Sequence, residues 1–381
     1  MFKVTKLNSI SPLINDILTD NYALSTDEAN PDAIILRSFK MHDYEIKENL
    51  LCVARAGAGV NNIPLDKMSE KGVVVFNTPG ANANAVKELV LALMLATARN
   101  LKPAMDWANG LIGTQDVAKQ VEAGKSQFVG PEIMGKTIGV IGLGAIGALV
   151  ANACSALGMI VLGYDPFLSV DGAWNISSTV KHETDINALY AKCDYVTIHI
   201  PLLDSTKGFI GTEALSCLKD GAVIINCARG ELVDNNAMKA ALDSGKVSKY
   251  VTDFPSENIL GYKNVIASPH LGASTPEAED NCAIMAAKEL KDYLENGNIV
   301  NSVNYPKLSA PRAGKNRITV AFKGEILSDI NTALSSKNVS VKSINSAARN
   351  GFGYAIIDTD TDLENADFLK TVNGVLKVRK I

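Results

Sequence analysis

The sequence predicts an α/β protein in which two doubly wound parallel-sheet domains are followed by a small α+β domain. A chain of 381 residues is too long for one ordinary core. Continuous apolar runs at residues 33–36 and 73–76 alternate with helical stretches, which is typical of a parallel sheet covered on both faces. The last 65 or so residues alternate in the order strand, helix, strand, strand, helix, strand, which fits a split βαβ module.

Composition limits the possible partners. Hydrophobic residues make up 47% of the chain and charged residues 20%, which is typical of a folded globular protein. The net charge is -4, which argues against a nucleic-acid partner. The six cysteines form no CxxC pair, and we expect neither a disulfide framework nor a metal site. The sequence shows no signal peptide and no apolar run long enough to cross a bilayer, which favours a cytoplasmic protein without a membrane partner.

Periodicity places the remaining elements. A helix predicted at residues 83–99 is apolar on most faces, and we expect it to be buried between domains. The expected order from there is a strand–helix–strand series, a long helix, a linker and the C-terminal module. The predicted ranges are strands 137–141, 160–164, 195–200, 222–226, 249–253 and 265–267, helices 145–157 and 276–296, linker 304–316, and module segments 317–322, 326–335, 339–347, 353–358, 366–371 and 375–380.

The strongest motif is a glycine-rich turn, Gly142-Leu143-Gly144-Ala145-Ile146-Gly147, between a predicted strand and a predicted helix. Such a turn lets a pyrophosphate approach the backbone at the helix N-terminus, where N–H groups are free. The next strand ends at Asp165, which is placed to accept hydrogen bonds from ribose hydroxyls and to repel a 2′-phosphate. The motif therefore predicts a Rossmann domain that binds NAD. The alternative is a purely structural turn with an ordinary surface aspartate.

Three side chains near the last strands suit oxidation of a hydroxy acid. His270 could accept the hydroxyl proton, Glu257 could raise the pKa of that imidazole, and Arg229 could hold a carboxylate. Each residue also has a simpler interpretation, as a capping histidine, a loop glutamate and a surface arginine. Of the other histidines, His42 and His182 lie in polar stretches, and His199 is expected to pack beside the cofactor.

Several motifs together resemble the D-2-hydroxyacid dehydrogenase family. They are RAGAGVNNI at 55–63, FNTPGANANAVKEL at 76–89, IGLGAIG at 141–147, YDP at 164–166, HIPL at 199–202, NCARGELVD at 226–234 and PHLGAST at 269–275. They follow the family's order over about 300 residues. One departure is DFPSEN at 253–258, which is one residue shorter than the family's pattern and has Asn258 where proline is expected. Glu257 aligns only across that deletion.

The resemblance implies roles for individual residues. Arg229 would bind and polarise the substrate, His270 would be the acid/base, and Glu257 would be its partner. The implied contacts with NAD are Gly142, Gly144, Ala145, Ile146, Gly147, Asp165, Pro166, His199, Pro201, Thr206, Cys227, Ala228, Arg229, Asp253, His270, Gly272 and Ala273.

The resemblance also implies the domain plan. Residues 1–97 and 281–306 would form a flavodoxin-like substrate-binding domain, with the Rossmann domain inserted at 98–280. Members of the family pair through the NAD domain, so a homodimer or homotetramer is expected. Residues 316–381 resemble a regulatory module of the amino-acid-binding ACT type. In relatives that begin serine synthesis this module binds serine through a His and an Asn that the turn at 322–326 lacks, so a purely structural role stays equally open.

The substrate is predicted to be a small phosphorylated 2-hydroxy acid. Arg37 and Ser38 follow the predicted strand at 33–36, and Arg55 follows the next strand, so the two guanidinium groups could clamp a phosphate. Asn82 could hold the substrate carboxylate, together with Arg229 and His270. The alternatives are surface arginines in a reductase of another 2-keto acid, such as glyoxylate or hydroxypyruvate, and a non-catalytic NAD-sensing protein.

Overall fold

The computed structural model describes residues 1–381 and divides them into two compact units. The first unit comprises residues 1–81 and 276–381, and the second comprises residues 82–275. Two parallel sheets and one antiparallel sheet confirm the predicted fold class. Among the helices, none has both the length and the apolar character that crossing a bilayer would demand.

The N-terminal part of the first unit is a five-stranded parallel sheet with the order β2-β1-β3-β4-β5, the flavodoxin-type order. All four residues of β3 are buried, as its continuous apolar pattern predicts. Leu36 at the end of β3 is paired with Arg55 at the end of β4, so the carboxyl ends of these strands lie side by side. The elements are β1 (Phe2–Leu7), a 3-10 helix (Pro12–Asp16), β2 (Tyr22–Ser25), β3 (Ala33–Leu36), β4 (Cys52–Arg55), α1 (Leu65–Glu70) and β5 (Val74–Phe76).

The second unit contains a seven-stranded parallel sheet with the order β12-β11-β10-β9-β6-β7-β8. Its order reverses between β6 and β9, the kind of position where doubly wound sheets bind nucleotides. Its elements are α2 (Ala83–Ala98), α3 (Leu101–Asn109), α4 (Val117–Gly124), a 3-10 helix (Lys125–Phe128), β6 (Thr137–Ile141), α5 (Ala145–Ala156), β7 (Ile160–Tyr164), α6 (Val170–Ala173), β8 (Lys181–His182), α7 (Ile186–Lys192), β9 (Tyr195–Ile198), α8 (Thr212–Cys217), β10 (Ala222–Asn226), a 3-10 helix (Gly230–Leu232), α9 (Asn235–Asp243), β11 (Val247–Thr252) and β12 (Val265–Ala267).

The helix α2 belongs to the second unit, whereas the predicted domain border at residue 97 placed it in the first. Its buried side chains Val86, Val90 and Met94 share one core with Ile138 of β6 and Val150 of α5. The chain therefore enters the second unit at residue 82, before this helix, and leaves it at residue 275. Apolar burial against α5 explains the difference from the predicted border.

The helix α10 (Pro276–Asn296) returns the chain to the first unit and packs on the five-stranded sheet through residues such as Ala286 and Leu290. The segment after it was predicted to be a linker, and this is wrong for its first part. Asn304 and Tyr305 are buried. The Asn304 side chain accepts from the Val75 N–H at 2.8 Å and donates to the Val73 carbonyl at 2.9 Å. These bonds satisfy the backbone beside β5 and fix the segment.

The C-terminal residues form a four-stranded antiparallel sheet with the order β14-β15-β13-β16. This arrangement is that of a split βαβ module, as predicted, and is consistent with an ACT-like domain. The second predicted helix is a short 3-10 helix. The elements are β13 (Asn316–Lys323), α11 (Leu327–Ser336), β14 (Val341–Arg349), β15 (Phe352–Thr359), the 3-10 helix (Asp367–Thr371) and β16 (Val375–Lys380).

This C-terminal module is joined to the end of α10 by polar contacts that are buried or partly buried. Arg379 donates to the carbonyls of Tyr293 and Leu294 at 3.1 and 2.7 Å, and its guanidinium carbon lies 4.9 Å from the Tyr293 ring centroid. The Tyr354 hydroxyl donates to the Gly297 carbonyl at 2.8 Å. A cation at the C-terminal end of a helix is favoured by the helix dipole and by the free carbonyls. The module therefore shares the compact body of the first unit.

One buried ion pair stabilises the module. The Arg317 guanidinium binds both oxygens of Asp358, with N···O distances of 2.8 and 2.9 Å, and the two side chains are 1% and 0% exposed. We expect Asp358→Ala to lower the free energy of unfolding by roughly 3–5 kcal/mol in urea denaturation, because it leaves a buried cation without a counter-charge. The control is Asp360→Ala, which removes an exposed partner of Lys342 and should change stability little. Equal effects of the two variants would contradict the assignment.

Candidate active site

The glycine-rich turn between β6 and α5 is held by backbone contacts. Gly142 has a φ of +85°, and a Cβ there would lie 2.6 Å from the carbonyl oxygen of His199. A Cβ on Gly147 would overlap the carbonyl oxygen of Gly142, whereas a Cβ on Gly144 would have no atom within 4 Å. The packing of the protein itself thus requires Gly142 and Gly147, while Gly144 borders open space at the N-terminus of a 12-residue helix. Such a cradle fits a pyrophosphate.

Asp165 lies at the end of β7, next to this turn. One carboxylate oxygen accepts from the Leu143 N–H and the other from the Phe167 N–H, both at 2.9 Å. These bonds fix the carboxylate beside the glycine-rich turn. In this position a negative charge suits ribose hydroxyls and opposes a 2′-phosphate. Ala145 and Pro166 are exposed, and Ile146 is half-buried.

His199 supports the turn from the neighbouring strand β9. Its backbone N–H donates to the Ile141 carbonyl at 2.7 Å. In the imidazole ring, Nε2 lies 2.9 Å from the Thr197 hydroxyl, and Nδ1 is buried without a partner. Burial lowers the pKa of His199 to about 4, so the imidazole is neutral at pH 7. In the following loop, the Thr206 hydroxyl donates to the Pro201 carbonyl at 2.7 Å.

Asp253 directly follows β11 and is fully buried. Its Oδ2 accepts from the Gly272 N–H at 3.2 Å, and its Oδ1 has no partner. Burial raises the pKa of Asp253, while the charges of His270 and Arg229 act in the opposite direction. A buried carboxylate oxygen without a donor is rare in proteins and fits the amide N–H of a nicotinamide carboxamide. Gly272 is also buried, and Ala273 is half-buried.

Phe254 brings the predicted catalytic residues Arg229 and His270 together. The ring centroids of Phe254 and His270 are 4.3 Å apart, and the Arg229 guanidinium carbon lies 5.7 Å from the Phe254 ring centroid. Arg229 also donates to the Ala228 carbonyl at 2.6 Å, and the Ala228 N–H donates to Asn226 at 3.1 Å. Cys227 is buried at the end of β10. Sequence reasoning missed Phe254, although its place directly after Asp253 at a strand end was the available signal.

The predicted pairing of Glu257 with His270 is not formed. Glu257 is exposed and makes neither a hydrogen bond nor an ion pair. Instead, Phe254 contacts the imidazole, and Asp253 is the acidic residue whose charge interacts with it. In the short DFPSEN segment, Phe254 therefore takes the position next to the ring, and Glu257 is exposed to solvent.

The predicted phosphate clamp lies in the first unit, at the ends of β3 and β4. Asn62 connects its two arginines, because the Arg55 Nε donates to the Asn62 side-chain oxygen at 3.2 Å and the Asn62 amide donates to the Arg37 carbonyl at 3.2 Å. The Arg37 guanidinium forms a close ion pair with Glu279 of α10. Ser38 is exposed, and its N–H donates to Asn8 at 3.2 Å. Sequence reasoning missed both Asn62 and Glu279, which no local motif marks.

Asn82, the predicted carboxylate ligand, is the first residue of the second unit. It precedes α2, and its carbonyl accepts from the Val86 N–H at 3.2 Å. The Asn82 side chain makes no capping hydrogen bond to the helix. Its amide is therefore not committed to capping and could contact a ligand.

Substitutions at Gly147 and Gly144 should have different effects, the first on stability and the second on cofactor binding. We expect Gly147→Ala to lower the free energy of unfolding by about 1–3 kcal/mol or more, because the new methyl group meets a backbone carbonyl. Gly144→Ala should keep wild-type stability and weaken NADH binding at least about tenfold, ~1.4 kcal/mol, because the methyl group points into the cradle. Urea denaturation and NADH fluorescence titration measure the two effects. Wild-type NADH affinity in Gly144→Ala would argue against pyrophosphate at this turn.

Comparison with known proteins identifies the second unit. Residues 91–272 match the family described as D-isomer specific 2-hydroxyacid dehydrogenase, NAD binding domain. D-3-phosphoglycerate dehydrogenase of Methanocaldococcus jannaschii is 39% identical over 277 residues, which are 71% of this chain and 51% of the relative. The Bacillus subtilis enzyme of the same name is 31% identical over 322 residues, 81% of this chain and 59% of the relative. The chain thus spans about half the length of the curated relatives it matches.

Solved structures share the fold. The NAD+-bound 3-phosphoglycerate dehydrogenase of Entamoeba histolytica is 25% identical with a TM-score of 0.61, and the alignment covers 81% of this chain and 99% of that one. D-mandelate dehydrogenase of Rhodotorula graminis, at 22% identity and a TM-score of 0.69, has the same coverage and shows the fold alone. The resemblance seen in the motifs is confirmed. Residues 91–272 are therefore an NAD-binding domain of the D-isomer-specific 2-hydroxyacid dehydrogenase family.

Proposed function

We propose that this protein oxidises D-3-phosphoglycerate to 3-phosphohydroxypyruvate with NAD+, the first step of serine biosynthesis. The observation that carries the substrate assignment is the pair of arginines at adjacent strand ends, tied together by Asn62. A hydroxy acid without a second anionic group has no use for two such cations. The names of the relatives support the same substrate.

The residues of the NAD-binding domain suggest how the reaction proceeds. NAD+, when bound, supplies the acceptor for the hydride that leaves the carbinol carbon. His270 takes the hydroxyl proton as the C–O bond becomes a carbonyl, so the substrate loses one proton and one hydride in total. Arg229 binds the substrate carboxylate and polarises the forming carbonyl. Asn82 supports the carboxylate.

Asp253 and Phe254 position these groups. The free Oδ1 of Asp253 would accept the carboxamide N–H and thereby orient the nicotinamide. The charge of His270 also interacts with Asp253, where it opposes the rise in the pKa of that carboxyl caused by burial. Phe254 packs on His270 and lies near Arg229, so a single ring limits the movement of both.

We also propose that the protein is cytoplasmic and forms a homodimer or homotetramer through the NAD-binding domain. The support is a set of exposed large apolar side chains in the segment from α3 to β6, since such side chains are favoured at subunit interfaces. They are Met105, Ile112, Val129 and Met134.

A panel of 2-keto acids tests the substrate assignment. With NADH, we expect the highest kcat/KM on 3-phosphohydroxypyruvate, compared with glyoxylate, hydroxypyruvate and 2-oxoglutarate. Arg55→Met should raise the KM for 3-phosphohydroxypyruvate roughly 10- to 100-fold, since a charge-assisted bond to the phosphate is lost. The control is Arg312→Met, an exposed arginine of the same unit. Equal rates of wild type on the unphosphorylated acids would refute the assignment. NADH binding without turnover of any acid would favour a sensor.

The acid/base assignment is tested with two variants. His270→Ala should lower kcat by about 10²–10⁴-fold while NADH affinity stays close to wild type, because the exposed imidazole is not needed for folding. Glu257→Gln should change the pH profile of kcat/KM little, since that carboxylate contacts neither His270 nor another charged group. If Glu257→Gln instead shifted the acidic limb of the pH profile of kcat/KM, Glu257 would be the partner of His270, as the motif predicts.

A further inference from the structure

The phosphate clamp of the first unit contains a carboxylate that competes with its ligand. The guanidinium of Arg37 makes a close ion pair with Oε1 of Glu279, in the first turn of α10. The two side chains are 34% and 48% exposed, so the pair is accessible to solvent and to a ligand. A substrate phosphate that binds Arg37 must therefore replace this carboxylate or share the cation with it.

The surroundings of Cys282 show that the charged groups of the clamp converge. This thiol is buried one helical turn after Glu279. Burial raises the pKa of Cys282, the positive charges of Arg37 and Arg55 lower it, and the negative charge of Glu279 raises it. All three charged side chains thus act on one buried atom. Together with the strand-end pairing of Leu36 and Arg55, this places two cations and one anion around a single region at the start of α10.

We propose that Glu279 is a specificity-determining residue, which occupies Arg37 in the absence of substrate and yields it to a phosphate but not to a carboxylate. This inference rests on the proposed function, because it concerns the phosphate site of that reaction. A carboxylate ligand carries the same single charge as Glu279 and gains little by replacing it. A phosphate monoester carries about -1.5 to -2 charges at pH 7 and offers three acceptor oxygens, so the exchange favours it.

If Glu279 instead positions Arg37 for the ligand, the expected change in phosphate affinity has the opposite direction. If the carboxylate mainly held the Arg37 guanidinium in place for the phosphate, its removal would loosen the clamp and weaken phosphate binding. Competition predicts tighter binding on removal. The direction of the change therefore decides between the two roles.

Glu279→Gln is the test, because it removes the charge and keeps the size and a hydrogen-bonding oxygen. The ion pair is partly exposed and therefore weak, so we expect the Kd for 3-phosphoglycerate and for inorganic phosphate to fall about two- to fivefold, ~0.4–1 kcal/mol. The KM for 3-phosphohydroxypyruvate should fall by the same factor with kcat unchanged. The KM for glyoxylate, which has no group to reach the clamp, should stay as in wild type. The KM for 2-oxoglutarate should fall, because its second carboxylate no longer meets a competitor.

Glu277→Gln is the matched control. Glu277 lies in the same first turn, is exposed and makes no ion pair, so its substitution changes the net charge equally without freeing Arg37. It should leave all these constants close to wild type. In an Arg37→Met background, Glu279→Gln should have no effect on phosphate affinity. Thermal unfolding of each variant shows whether the first unit remains folded.

The results separate this inference from the proposed function. If wild type prefers 3-phosphohydroxypyruvate but Glu279→Gln binds phosphate with unchanged or weaker affinity, competition is refuted and the phosphate site stands. If wild type shows no preference for the phosphorylated acid, the proposed function fails whatever Glu279→Gln does. If Glu277→Gln tightens phosphate binding as much as Glu279→Gln, the effect is one of net charge, and the specific role of Glu279 is lost.

Discussion

The contact between the backbone of Gly147 and the carbonyl oxygen of Gly142 is the constraint on which the nucleotide site depends. Because no Cβ fits between them, helix α5 begins directly against the turn that ends β6. That approach brings the free N–H groups of the helix to the carboxyl edge of the sheet. It also puts the Leu143 N–H within reach of Asp165 and the turn against His199. One backbone contact thus sets the positions of the helix N-terminus, Asp165 and His199 relative to one another.

Charged side chains in this chain follow two patterns. Arg317 and Asp358 pair with each other, are completed by further hydrogen bonds to neighbouring groups and are inaccessible, which suits a structural pair. Asp253 is equally buried but leaves one oxygen without a donor, and Arg37 lies in an ion pair that solvent can reach. Incomplete or replaceable pairing is costly or weak in a protein without ligands. At Asp253 and Arg37, the ligands that we propose would complete or replace the pairing.

The sequence allowed the local features to be predicted and left the long-range ones open. Short contiguous segments were sufficient to predict the glycine-rich turn, Asp165 and the positions of Arg229 and His270 after their strands. The contact between Arg37 and Glu279 joins residues far apart in the chain, and no periodicity marks it. Strand β1 was not predicted because only some of its residues are buried. Helix α2 was recognised, but apolar faces alone do not say which of two units will bury it.

The loop after Asp253 shows how a small deletion limits inference from a motif. Alignment supplies a glutamate at the expected place in the pattern, but the side-chain position depends on the loop length. In this chain an aromatic ring contacts His270 and the glutamate is exposed. The motifs thus identified the acid/base candidate, whereas the residues around it could be identified only from the structure.

The packing of the C-terminal module on α10 has a consequence for truncation of the chain. Tyr354 and Ile356 of β15 belong to the same apolar core as Cys52, Tyr293 and Leu294. A chain truncated after residue 310 would expose that core to water and leave the last carbonyls of α10 without their donors. Loss of the module would therefore require polar substitutions on β4 and α10 at the same time, and a single truncation should be destabilising.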